Sequence, residues 1–152
     1  MNYWLMKTEP DTFSILDLKK SPKATSMWEG VRNYQARNFM RSMVLGDQVM
    51  IYHSSCAVPG IAGFAEVCRE AYPDPTALDP ESHYFDPKSS KDNARWSCVE
   101  VRWVKTLPEV VPLSLLKADP LLVDMALVKR HRLSVMPVTA EEWQHIQHQY
   151  VG

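Results

Sequence analysis

The chain has almost no excess of charge of either sign: 17 Lys and Arg stand against 18 Asp and Glu in 152 residues, a formal net charge of −1. That balance excludes a long-range electrostatic pull on DNA, RNA or an anionic membrane, so any nucleic-acid contact has to be local. Cysteine is scarce as well. Cys56, Cys68 and Cys98 are odd in number and lack a C-x-x-C spacing, which points to reduced thiols in a cytoplasm, or in a nucleus if the source is eukaryotic. No apolar run approaches the roughly 18 residues that a membrane span requires. The first residues pass into Tyr3-Trp4-Leu5-Met6 without a charged leader, so the expectation is a protein neither secreted nor membrane-bound. Catalytic landmarks are missing too: there is no Gly-rich phosphate loop, no G-x-S-x-G and no H-E-x-x-H. Repeats, low-complexity tracts and linkers are also absent, so one domain over residues 1–152 is expected.

What is present is enough apolar content, 45%, for one substantial core. Residues 3–7 read as a short, nearly all-apolar and therefore buried strand. Asp11 or Thr12 is placed to cap a helix through about residue 20, with Phe13, Leu16 and Ile15 inward. Ala36, Phe39, Met40 and Met43 follow the helical spacing over residues 34–43. Strands are expected over 48–53 and 61–72, with Gly60 and Gly63 marking a bulge or a close approach. Residues 73–93 have no regular period, and a loop of that length is functional, mobile or a surface excursion; its Tyr84-Phe85 pair is expected to pin it to the body. A strand over 95–107 follows, then short helices over 114–117, capped by Ser114, and 120–128. A strand over 133–138 and a helix capped by Thr139 with Glu142 close the chain. Strands that mostly do not alternate with helices favour an α+β fold, with a small antiparallel or mixed sheet curled toward a barrel.

The densest chemistry lies in residues 27–42, MWEGVRNYQARNFMRS. Trp28 offers a stacking face, Asn33 and Asn38 offer amides suited to a base edge, and Ser54 and Ser55 add short hydroxyls. Arg32, Arg37 and Arg41, with Lys129, Arg130, His131 and Arg132, supply local cationic patches for phosphates. Each has a plainer reading: a lone tryptophan is more often core, and lone arginines are usually a solvated face. Their co-occurrence is what points to binding. Catalytic readings are thinner. His145 and His148 share a helix face but lack a third metal ligand, and His53 and Cys56 need not face one another in an extended chain. Lys7 with Glu9 or Glu66 would serve as an acid and base only if their strands adjoin. Trp28 beside Glu29 would suit a methylammonium cage only with further aromatics nearby.

Tyr3-Trp4-Leu5-Met6-Lys7, Trp28-Glu29-Gly30-Val31-Arg32-Asn33-Tyr34-Gln35-Ala36-Arg37-Asn38-Phe39, Tyr52-His53-Ser54, Arg69-Glu70-Ala71-Tyr72-Pro73-Asp74 and Arg132-Leu133-Ser134-Val135 together resemble the EVE domain family over essentially the whole chain. The resemblance implies a PUA-like fold, a curled mixed sheet or pseudo-barrel flanked by helices, similar to YTH and ASCH domains. It also implies a non-enzymatic role, without cofactor or metal: reading a modified base, such as a modified cytosine or adenine of DNA or RNA, in an aromatic-walled pocket. Carried onto this sequence, Trp28 becomes the stacking wall and Asn33 and Asn38 its support. Ser54 and Ser134 become edge hydrogen-bonders, and Lys7, Val31 and Pro137 become lining. Met136 stands where the family often has glutamine and offers an apolar wall. An ASCH-like amidohydrolase or ribonuclease is the alternative, and a monomer is expected.

Overall fold

The apolar run near the N-terminus forms β1 (Tyr3–Thr8), whose Trp4 and Met6 are buried in one apolar core and Leu5 in another. A computed structural model describes residues 1–130 and 132–152 and places six strands in one sheet. β1 pairs in parallel with β3 (Gln48–His53) and antiparallel with β6 (Val135–Val138). β4 (Gly60–Pro73), β5 (Ser97–Pro112) and β2 (Thr25–Trp28) continue the sheet by antiparallel pairing, giving the order β2-β5-β4-β3-β1-β6. The architecture is thus α+β with a mixed sheet, as the order of elements implied.

The sheet is curled but not closed. Trp28 of β2 and Val135 of β6 belong to the same apolar cluster as Trp4 and Met6, so the two edges approach one core without pairing with each other. The long strands β4 and β5 slip register at several points, which lets them bend. Gly60 and Gly63 lie where a side chain has no room, since an added Cβ would stand 2.1 Å from the Val111 carbonyl oxygen and 2.4 Å from that of Lys105.

Helices cover both faces. α1 (Ile15–Lys20) and α2 (Tyr34–Ser42) bring Ile15, Leu18, Ala36 and Met40 to the core inside the curl. On the other face α3 (Leu113–Ala118), α4 (Ala126–Lys129) and α5 (Ala140–Ile146) bring Leu116, Leu127, Trp143 and Ile146 onto Leu5, Met50 and Tyr52. Alternate residues of β1 and β3 therefore enter opposite cores, which explains why neither strand has a polar face. Among the described residues no helix is long and apolar enough to cross a membrane.

Several boundaries differ from the expected ones for local reasons. α1 starts at a reciprocal capping box between Ser14 and Asp17, not at Asp11 or Thr12, so Ile15 and Leu18 face inward and Leu16 is exposed. Ser114 is not the cap of α3, which begins after Pro112, and the single helix expected over 120–128 is a 3₁₀ turn (Pro120–Leu122) followed by α4. β5 runs past Leu107 to Pro112, and β6 begins at Val135. The Thr139–Glu142 capping box is present as expected.

Asp47 fastens the start of β1 to the turn before β3. Fully buried, it accepts hydrogen bonds from Trp4 Nε1, Asn2 N and Val44 N, each at 3.0 Å. Burial opposes its charge, but these donors hold its pKa below the usual carboxylate value. Asp47→Ala is expected to lower unfolding stability by about 1–3 kcal/mol in a urea titration, because the donors lose their acceptor. That difference should be full above the ordinary carboxylate pKa and fade as the pH falls below it.

Candidate functional site

Where the edges of the sheet fail to meet, they leave a cavity of about 540 Å³. The end of β1 contributes Lys7 and Thr8, β2 contributes Ser26, Met27 and Trp28, and Ser134 closes the far side just before β6. Phe13, Glu29, Val31 and Tyr84 complete most of the wall. Lys7 N donates to the Ser134 carbonyl at 2.8 Å, which fixes those two walls to each other.

Trp28 is 7% exposed, and its ring meets Phe13 edge-on at a centroid distance of 6.2 Å and an angle of 86°. After it the chain turns through Gly30 at φ 83°, where an added Cβ would lie 2.6 Å from the Tyr84 ring. Only glycine allows the loop aromatic to pack there. Asp74, 2% exposed, holds this turn: it accepts from Gly30 N at 2.9 Å, Thr76 N at 2.8 Å, Thr76 Oγ1 at 2.6 Å and the Arg32 guanidinium at 3.1 Å. Burial works against the charge on Asp74, yet these donors keep its carboxyl below the usual range. Arg32 also donates to the Tyr84 carbonyl at 2.7 Å, so it clamps the turn to the loop after β4.

Two ionisable groups in the wall are perturbed. Burial lowers the pKa of Lys7, whose Nζ lies 5.6 Å from the centre of the Tyr52 ring. Burial raises the pKa of Glu29, and nearby Asp74 raises it further, while the Glu29 backbone N–H partly offsets both.

The structure brings Lys7, Trp28, Val31, Arg32 and Ser134 to this one cavity. The other residues carried over from the resemblance lie elsewhere. Asn33 caps α2 by accepting from Ala36 N at 2.9 Å, and Asn38 accepts from the Arg37 guanidinium on the exposed side of that helix. Ser54 N donates to the Thr8 carbonyl at 2.9 Å behind the wall. Pro137 is exposed on edge strand β6, opposite Trp4. Met136, expected as lining, is fully buried opposite Leu5 in the core beneath α3–α5, because one step along a strand reverses the face.

Of the cationic residues, Arg37 reaches the Arg95 carbonyl at 2.9 Å and Arg41 reaches Ser97 Oγ at 3.0 Å, stapling α2 to the start of β5. Lys129 pairs with Asp124, Arg130 and Arg132 are exposed, and His131 lies outside the described residues. Glu66 pairs with Arg102 and lies opposite Gln48 at the start of β3, whereas Lys7 lies opposite Tyr52 near its end, so the two do not form one acid–base site. His53 accepts from Ile15 N at 3.1 Å, and His145 binds Asp119 at 2.6 Å. Glu29, Phe13 and Tyr84 are wall residues that had not been singled out for base binding. Glu29 stood inside the richest stretch of sequence, but Tyr84 had no local signal linking it to Gly30.

A curled, open mixed sheet flanked by helices is a PUA-like fold. The family model of the EVE domain matches residues 2–149, and the chain belongs to the EVE domain family. Human thymocyte nuclear protein 1 is 44% identical over 95% of this chain and 72% of its own length. A crystal structure of a Pseudomonas putida protein is 56% identical, with a TM-score of 0.92 over 96% of this chain and 97% of that one. The crystal structure of human THYN1 protein in complex with 5-methylcytosine-containing DNA is 43% identical, with a TM-score of 0.93 over 97% of this chain and 96% of that one.

Proposed function

We propose that this domain reads a modified cytosine in DNA, taking the extruded base into the cavity beside Trp28 without altering it chemically. The observation that carries this reading is the match to the human DNA complex, whose fold superposes over nearly the whole chain. Extruding a base costs a few kcal/mol, and stacking on an aromatic returns about 1–3 kcal/mol, so one aromatic wall nearly balances the cost. Selectivity then comes from the base edge. Glu29 accepts from the exocyclic amine of cytosine, and Lys7 and the Ser134 hydroxyl supply donors to its ring acceptors. Val31 adds apolar contact, and one buried methyl contributes about 0.8 kcal/mol. Asn33 holds the start of α2 directly after the Trp28–Arg32 turn, while Arg130 and Arg132 offer exposed cations to the DNA backbone.

A panel of short oligonucleotides with cytosine, 5-methylcytosine or 6-methyladenine, as DNA and as RNA, tests the reading by affinity. Methylated-cytosine DNA should bind tightest; equal affinity across the panel removes the reading. Because Trp28 is buried against Phe13, Trp28→Ala is expected to cost about 3–5 kcal/mol of stability along with binding. Ser134→Ala and Trp28→Phe, followed by calorimetry and binding, are therefore cleaner probes of the wall.

One observation favours a second reading. Phe13, Trp28 and Tyr84 line the same cavity as Glu29, which is the composition of a methylammonium cage. A trimethyllysine peptide that competes with methylated DNA would support it, and failure to compete at millimolar peptide discards it.

A further inference from the structure

Beyond Tyr84, the segment between β4 and β5 encloses a second hollow of about 480 Å³, walled by Tyr84, Phe85, Lys88, Arg95 and Trp96. Arg32, His83 and Tyr84 line both hollows, so this one adjoins the cavity beside Trp28. Its frame is built by hydrogen bonds. The Asp86 carboxylate accepts from Trp96 Nε1 at 2.6 Å and Lys88 N at 3.0 Å, while Asp86 N donates to the Ala77 carbonyl at 2.9 Å. Tyr34 stacks on Trp96 from α2, with centroids 4.8 Å apart and planes at 15°, which braces the floor.

Into this frame the chain places an aromatic that the core does not use: Phe85 is 40% exposed, although a few residues away its neighbours are tightly bonded. An exposed ring on a fixed scaffold offers a π-face at no ordering cost. The charges in the hollow are mostly matched, Arg32 by Asp74 and Arg95 by Asp86. Lys88 is exposed and supplies the excess positive charge at the rim. A hollow with one open aromatic and one open cation suits a single nucleotide: stacking holds the base and one contact meets the phosphate.

We propose that the hollow around Phe85 is a subsite for the nucleotide next to the base read beside Trp28, with Phe85 stacking on that neighbouring base and Lys88 meeting its phosphate. This rests on the modified-cytosine reading for the identity of its occupant. It gives the segment between β4 and β5 a binding role that does not depend on methylation, since every base has a stacking face. The subsite adds affinity and leaves selectivity to the cavity.

Fluorescence anisotropy with a short labelled duplex containing one 5-methylcytosine, and with its unmethylated twin, tests this across a salt series. Phe85→Ala should weaken both duplexes by the same factor, roughly tenfold for one stacked base, and leave the ratio of the two affinities at the wild-type value. Lys88→Gln should reduce the slope of log affinity against log salt by about 0.9, the release expected for one duplex phosphate. Thermal unfolding of both variants should match wild type, because neither side chain is in the core. Affinities for both duplexes indistinguishable from wild type would overturn the subsite, as would a change in the methylation ratio, which would put Phe85 in the reading cavity instead. A wild-type ratio of one, with Phe85→Ala still weaker on both duplexes, removes the modified-base reading and keeps the subsite. Absence of wild-type binding to either duplex overturns both.

Discussion

Glu29→Ala is expected to weaken binding of 5-methylcytosine-containing DNA by about 10- to 100-fold, the loss that follows when a buried amine is left without its acceptor at about 1–3 kcal/mol. Isothermal titration against a methylated oligonucleotide measures it. The same side chain should be a burden to the fold. Burial, then the charge of Asp74, raises its pKa above the glutamate value of 4.5, so the folded protein holds the proton more tightly than the unfolded chain does. Ionised Glu29 therefore lowers stability above that pH. Glu29→Gln should raise Tm at neutral pH, and the gain should vanish as the pH drops below the ordinary glutamate pKa. Binding runs the other way: the ionised carboxylate accepts from an amine more strongly than the neutral acid does, so wild-type affinity should fall on acidification through the raised pKa, while Glu29→Gln should give a flatter profile. A residue that costs stability yet governs affinity is placed for function. Unchanged affinity in Glu29→Ala would show that the base edge is not read there.

Asp74→Ala is expected to lower stability by about 3–5 kcal/mol, because it removes one partner of a buried, hydrogen-bonded ion pair. Arg32, Gly30 N and both donors of Thr76 lose their acceptor at once. The bracket between the turn after β2 and the segment after β4 opens, and Tyr84 loses its fixed place over Gly30. Urea unfolding should show the loss of stability, and limited proteolysis should show new cleavage between Asp74 and Trp96. Since its carboxyl titrates below the usual range, the stabilisation by Asp74 is full above the ordinary carboxylate pKa and is lost as the pH falls through the lower folded value. Stability and proteolysis equal to wild type would mean that the turn is held by other contacts.

Helix α2 and strands β1, β3 and β4 were legible from the sequence because each carries its own signal: helical spacing from Ala36 to Met43, an apolar run at Trp4 to Met6, and Gly60 and Gly63 at the bend. β2 was not. Four residues, Thr-Ser-Met-Trp, pairing with β5 alone have too little length to show a period. Without β2, Trp28 reads as a residue before a helix, when it sits at the open edge of the sheet. Met136 was misplaced for a related reason: its face depends on its standing opposite Leu5, and no property of Val-Met-Pro-Val states that parity. Tyr84 packs on Gly30 across 54 positions of chain, a contact decided by the Asp74–Arg32 bracket and not by local preference. Lys7, Trp28, Val31 and Ser134 come from three separate stretches of sequence that the fold brings to one cavity. Glu29 stands in the Trp28 stretch, but its burial, which raises its pKa, is not displayed by the sequence.

The most direct test of the central claim is a crystal structure of this protein with a duplex containing one 5-methylcytosine. The account predicts the methylated base extruded from the helix, stacked against Trp28 in the cavity between β1, β2 and Ser134, with its exocyclic amine within hydrogen-bond distance of Glu29. A methylated base still paired within its duplex, or held at another surface while the cavity contains only solvent, would contradict it.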